Sequence, residues 1–154
     1  MTSENKPVVL VDKMENDEIN RRVMAWVNGY PDIPDGVYKG IVNYEYLQSD
    51  TASMALSTIQ GAYIIKRYIL GGYLAEYQFK LIYRIKPTTI FEERLNADET
   101  LDSLGYWCTQ NKPDLGDGII VRKVEATTRS ALFARYENGD EDHQILMKLT
   151  YEVI

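Results

Sequence analysis

Apolar and polar residues alternate through much of this chain, and the alternation gives way to a longer period at two places that predict helices. In "MENDEINRRVMAWVNGY" Ile19, Val23, Trp26 and Val27 fall at i, i+4, i+7 and i+8 with charged residues between them, the spacing of one helical face. Gly29, Pro31 and Pro34 end that helix, and "YPDIPDG" is a loop. The tract 37–60 predicts sheet, because "VYKGIVNYEYLQ" is rich in β-branched and aromatic residues and "TASMALSTIQGAY" alternates small polar with apolar ones. Between these runs "LQSDTAS" predicts a turn or a longer flexible loop, with Ser49 and Asp50 able to hydrogen-bond their own backbone.

The strongest alternation lies further on. Tyr73, Ala75, Tyr77, Phe79, Leu81, Tyr83 and Ile85 occupy every second position, and Glu76, Gln78, Lys80, Arg84 and Lys86 fill most of the others. Successive strand side chains point to opposite faces, so this is a half-buried strand of about 40 Å. The preceding run, Tyr63 to Leu70, mixes apolar and charged residues on both faces, and Gly71 and Gly72 suit a two-residue hairpin turn between the two. "RLNADETLDSLGYWCTQNKP" predicts the second helix, started by Asn96 with Glu99 as a capping box and ended at Lys112 and Pro113. Its apolar stripe is Leu101, Leu104 and Cys108, beside Trp107. "IIVRKVEAT" and "ALFARYE" read as strands, "NGDED" as a hairpin turn, and the chain closes on alternation through Ile145, Met147, Leu149, Tyr151 and Val153. Helix, strands, helix, strands implies an α+β domain over 14–154, two helices packed on a mainly antiparallel, mixed sheet, after an N-terminal arm at 1–13.

Composition narrows the function classes. One cysteine and one histidine exclude an intramolecular disulfide and the usual Cys/His zinc cluster. A net charge of −6 argues against a phosphate-gripping surface, and neither a membrane-length apolar run nor a secretory signal is present, so synthesis in the cytoplasm is expected. Dinucleotide, Walker A, HExxH and GxSxG motifs are absent, and "GDG" at 116–118 reads as a tight turn. His143 stands beside Asp140, Glu141 and Asp142, which predicts a solvated hairpin tip more readily than a tuned acid or base. Cys108, on the helix stripe, reads as packing. The carboxylates of "MENDE", "FEER", "NADETLD" and "NGDED" are expected mostly at helix starts and a turn tip, for local reasons. The expectation is a protein without catalytic residues, cofactor or metal.

Twelve tyrosines against three phenylalanines fit surfaces half buried and half wet, as at sheet margins and protein interfaces, and an ordinary sheet face packed on a core explains them equally. With the odd positions of 73–86 turned to a core, the other face and the first strand are where a neighbouring subunit would bind: Lys66, Arg67, Tyr68, Glu76, Gln78 and Lys80.

The order and spacing of "RYILGGYLAEYQFKLIYR", "RLNADETLDSLGYW" and "QILMKLTYEV" resemble the small tail terminator proteins of long-tailed bacteriophages, also called minor capsid or tail-completion proteins, over residues 15–154. That resemblance implies a virion protein that forms a homo-oligomer, a hexameric ring, on the head-proximal end of the tail tube. Such a ring stops tube polymerisation and meets a neck or head-completion protein, so its partners are the tail tube protein and the neck, with no specific nucleic-acid binding and no membrane. Its ring-forming and tube-facing surfaces would involve the hairpin at 63–86 and the loop near 47–53, with Ser49 and Asp50, and no catalytic residue is carried over. The acidic balance agrees with a channel that DNA passes without sticking. Two other readings stay open: another phage neck or connector component, and a curved sheet enclosing a small apolar ligand.

Overall fold

The computed structural model describes residues 18–61 and 63–154. The predicted N-terminal arm, 1–13, lies outside them. Two helices pack on one face of an open, mixed seven-stranded sheet, the α+β arrangement that the residue pattern implies.

Helix α1 runs through 18–27, and Ile19, Val23 and Val27 are buried as its period requires. The strands are β1 (Val42–Tyr44), β2 (Ser53–Thr58), β3 (Ile64–Arg67), β4 (Tyr73–Ile85), β5 (Ile119–Ala126), β6 (Ala131–Arg135) and β7 (Glu141–Val153), with α2 (Phe91–Gln110) between β4 and β5. The frame is the β4–β7 ribbon, paired antiparallel without a break from Tyr73↔Val153 to Ile85↔Glu141. Each long strand is flanked on its outer side by two short strands set end to end. Along β4 these are β2, with β1 beyond it, and β3; along β7 they are β5 and β6.

The odd residues of β4 and β7 face the helices. Phe79, Leu81, Ile145, Met147, Leu149 and Tyr151 are buried there with Leu101, Leu104 and Cys108 of α2. Trp26 meets Phe79 edge-on at 6.3 Å and stacks on Trp107 at 6.3 Å, so α1 and α2 are joined over the centre of the sheet. Burial pushes the Cys108 thiol up to about 12, which keeps it protonated and inert, a packing residue as expected.

Four local expectations are corrected. First, "VYKGIVNYEYLQ" is not a continuous strand: a 3-10 turn, Tyr38–Gly40, precedes the three residues of β1, which pairs parallel to β2. Asn28 at the end of α1 bonds both the N–H and the C=O of Val42, at 2.8 and 3.0 Å, so α1 holds β1 in place. Second, the hairpin turn does not use Gly71 and Gly72 as its central pair. Tyr68 C=O accepts from Gly71 N–H and Tyr68 N–H donates to Gly72 C=O, leaving Ile69, Leu70 and Gly71 as a three-residue loop. Gly71 supplies the left-handed φ of +101° that closes such a loop, whereas Gly72 is fixed by crowding, since a Cβ there would meet the Val153 carbonyl oxygen at 2.2 Å.

Third, α2 begins at Phe91, a full turn and more before Asn96, and its N-cap Ile90 makes no side-chain cap bond. "FEER" is therefore the helix start, and the Asn96/Glu99 pair lies in the helix interior. Fourth, "NGDED" is only partly a turn. Tyr136 and Asp140 close the loop, and β7 starts at Glu141.

Candidate functional site

The early start of β7, at Glu141, changes the chemistry at one end of the sheet. Asp140, Glu141, Asp142 and His143 are all buried, His143 to 1% exposure, and do not form the solvated tip that their composition suggests. The strand frame explains this, because Glu141 and His143 continue the inward odd positions of β7 and come to lie under the first turns of α2. Cations arrive from distant elements. Arg94 Nε stands 3.0 and 2.9 Å from the two Glu141 oxygens, Arg135 Nε is 3.0 Å from Oε2, and Lys86 Nζ reaches Asp140 at 3.0 Å. On the opposite face Arg84 grips Asp142 through two bonds, 2.7 and 2.9 Å, while Tyr136 donates to the same carboxylate and stacks under the guanidinium.

His143, Asp98 and Ser130 also meet here, the residue types of a nucleophilic triad. The connectivity is wrong for one. His143 Nδ1 lies 2.8 Å from Asp98 Oδ1, and Ser130 Oγ donates to that same oxygen at 2.7 Å. The serine proton is therefore directed at the carboxylate, and His143 Nε2, which would have to take it, faces Glu141 Oε1 at 3.4 Å instead of the serine. The cluster ties α2, the β5–β6 connection and β7 together without arming a nucleophile. Among the described residues no group of three His, Cys, Asp or Glu side chains is placed to hold a metal ion, and no helix is long and apolar enough to cross a membrane.

Burial alone would push the Glu141 carboxyl up, but hydrogen bonds from Arg94 and Arg135 outweigh it and hold the group below its ordinary 4.5. A depressed folded pKa contributes stability that is present above 4.5 and is lost as pH falls through the lower folded value. Glu141→Gln, which keeps the shape, is expected to flatten the fall of melting temperature with pH below that point. Melting curves taken down through the carboxylate range check this, and equal slopes for the two proteins would contradict it. Asp140 and Glu45, held low in the same way, keep the remaining slope from vanishing.

The outer face of the sheet is open and laced with charge. Lys148 lies between Glu76 at 3.4 Å and Glu125 at 3.9 Å, Gln78 donates to Glu76, and Lys80 stands over the Phe133 ring at 5.3 Å. Nearer the hairpin, Glu152 takes bonds from Tyr68 Oη at 2.5 Å and from Arg122. The bond to Glu152 raises the Tyr68 phenol above its ordinary range.

The predicted interface residues therefore divide. Glu76, Gln78 and Lys80 share the open face but are engaged by neighbours on their own sheet. Lys66 pairs opposite Leu74 on that face, whereas Arg67 pairs with Tyr73 and turns to the helix side, 5.6 Å over its ring. Ser49 and Asp50 are at the other end of the molecule, where Lys86 Nζ donates to the Ser49 carbonyl at 2.6 Å. Loop 47–53 and the hairpin tip thus stand at opposite ends of a ribbon about 40 Å long.

The pattern of alternating charges passed over the most exposed apolar pair in the described chain. Ile69 and Leu70, at the tip of the β3–β4 hairpin, are 101% and 99% exposed, so neither is buried against the described fold. At the opposite end Ile90, Phe91 and Leu95 are exposed at the start of α2. A turn built of isoleucine and leucine where glycine, asparagine or serine is usual was the available signal.

A recess of about 610 Å³ lies beside α1, and its described lining is Asn20, Arg21, Met24 and Tyr44. It is separate from the core beneath the helices, which Phe79, Met147 and the two tryptophans fill. No protein-family model matches the chain, and no curated protein matches its sequence.

Proposed function

We propose that the chain is a non-enzymatic assembly subunit of the phage tail terminator type, one that forms a ring on the tail tube and presents a surface to the neck. The observation that carries this reading is the hairpin tip. Two large aliphatic side chains held in water by a hydrogen-bonded turn cost solubility and add no burial to the described fold, so their use lies in contact with another chain. The acidic balance, a net charge of −6, suits a ring through which DNA passes. The small-ligand reading has less support, because the space under the helices, where such a ligand would sit, is filled by side chains.

Electron microscopy of particles made without this protein tests the role. Abnormally long tails are the expected result. Tails of normal length lacking heads would overturn the terminator assignment in favour of another neck component.

A further inference from the structure

We infer that copies of this chain join head to tail, the apolar tip of the β3–β4 hairpin of one copy seating on the first turns of α2 of the next. The inference rests on the assembly reading and names the two surfaces that meet. Ile69 and Leu70 project from one end of the ribbon, and Phe91 and Leu95, one helical turn apart on α2, are exposed with Ile90 at the other. The charges beside each apolar set that are not already paired within the fold are of one sign, since Arg94 at the helix face is taken up by Glu141 and Glu152 near the tip by Arg122. Lys66 and Arg67 flank the tip, Glu92 and Glu93 flank the helix face, and none of the four is in an ion pair among the described residues. Glutamates in a first helical turn are favoured by the helix dipole, but three exposed apolar side chains at the same place have no such local reason.

The pairing of unlike surfaces follows from the charges. Tip against tip would oppose Lys66 and Arg67 to themselves, and helix face against helix face would oppose Glu92 and Glu93, whereas tip against helix face sets opposite signs together. Because the two surfaces lie at opposite ends of β4, a copy whose tip is seated still offers its own helix face to a third. Such a contact is heterologous, and it closes into a ring when the rotation per copy permits.

Two full-length variants test the pairing by analytical ultracentrifugation, with melting temperature as the check on folding. Ile69→Ser with Leu70→Ser removes the tip, and Phe91→Gln with Leu95→Gln removes the helix face. Each variant alone is expected to be monomeric, its association weakened by about thirtyfold or more. Mixed in equal amounts they should give a dimer and nothing larger, because one intact tip and one intact helix face remain between them. A helix-face variant that assembles as the natural chain does would overturn the pairing while leaving self-assembly standing. A natural chain that is itself monomeric would overturn the assembly reading along with it. Charge reversal gives a second readout: Lys66→Glu with Arg67→Glu weakens association, and adding Glu92→Lys with Glu93→Lys to the same chain restores it. A quadruple variant no better than the double one would count against the pairing.

Discussion

Replacing Ile69 and Leu70 together with serine is expected to abolish self-association while leaving the melting temperature where it was. The two halves of this result have separate causes. Both side chains are fully exposed, so the folded monomer loses no burial when they go, and surface changes of this kind stay within about 0.5 kcal/mol. The turn itself survives, because its hydrogen bonds run between the backbones of Tyr68, Gly71 and Gly72, its left-handed residue is Gly71, and serine is at home in turns. In an assembly, by contrast, two aliphatic side chains at the centre of a contact are the kind of residue that carries most of its free energy. Sedimentation and a thermal melt on the same sample check both halves. Persistent association, or a large fall in melting temperature, would each contradict the role given to the tip.

Phe79→Ala is expected to have the opposite signature, lowering stability by about 3–5 kcal/mol. Phe79 is wholly buried at the middle of β4, paired with Thr58 on one side and Met147 on the other. Trp26 approaches its ring edge-on at 6.3 Å and Tyr77 lies 5.6 Å away, so the cavity left behind would open where α1 meets the sheet. The aromatic ledge, with Trp26 stacked on Trp107 and Tyr30 edge-on to it, cannot collapse into that space without giving up its own contacts, which places the cost toward the upper part of the range. A urea titration measures the loss. A change under about 1 kcal/mol, the scale of a swap that packing absorbs, would mean that α1 is not anchored through this residue.

What could be read from the residues alone was whatever is periodic. The helical face of Ile19, Val23 and Val27, the odd-numbered core of β4 and the inward set of β7 all depend on side-chain direction, which the local repeat fixes. What could not be read depends on partners far away in the chain. "NGDEDHQ" looks like a turn tip because nothing within it neutralises three carboxylates, and the groups that do, Arg94, Arg84 and Lys86, arrive from 47, 58 and 54 residues away. The frame of β7 did carry a warning, since counting back by twos from Ile145 places His143 and Glu141 on the buried face. The start of α2 was misplaced for a different reason. An Asn-x-x-Glu pattern satisfies a capping box wherever it stands, and here it falls one and a half turns inside a helix whose real first turn has no side-chain cap.

The candidate surfaces were legible only in part. Alternation directed attention to the charged face of β4, where the structure shows side chains already paired with their own neighbours. The exposed tip was hidden because Ile69 and Leu70 read as the end of an apolar strand, and only the hydrogen bonds of Tyr68 show that they form the turn.

Whether this chain works as an assembly subunit is tested most directly by native mass spectrometry of the full-length protein over a range of concentrations. A ring-forming subunit should appear as one discrete closed species at a fixed multiple of 17.7 kDa, six on the terminator reading, that does not grow further as concentration rises. A single species at 17.7 kDa up to the highest concentration reached would contradict it.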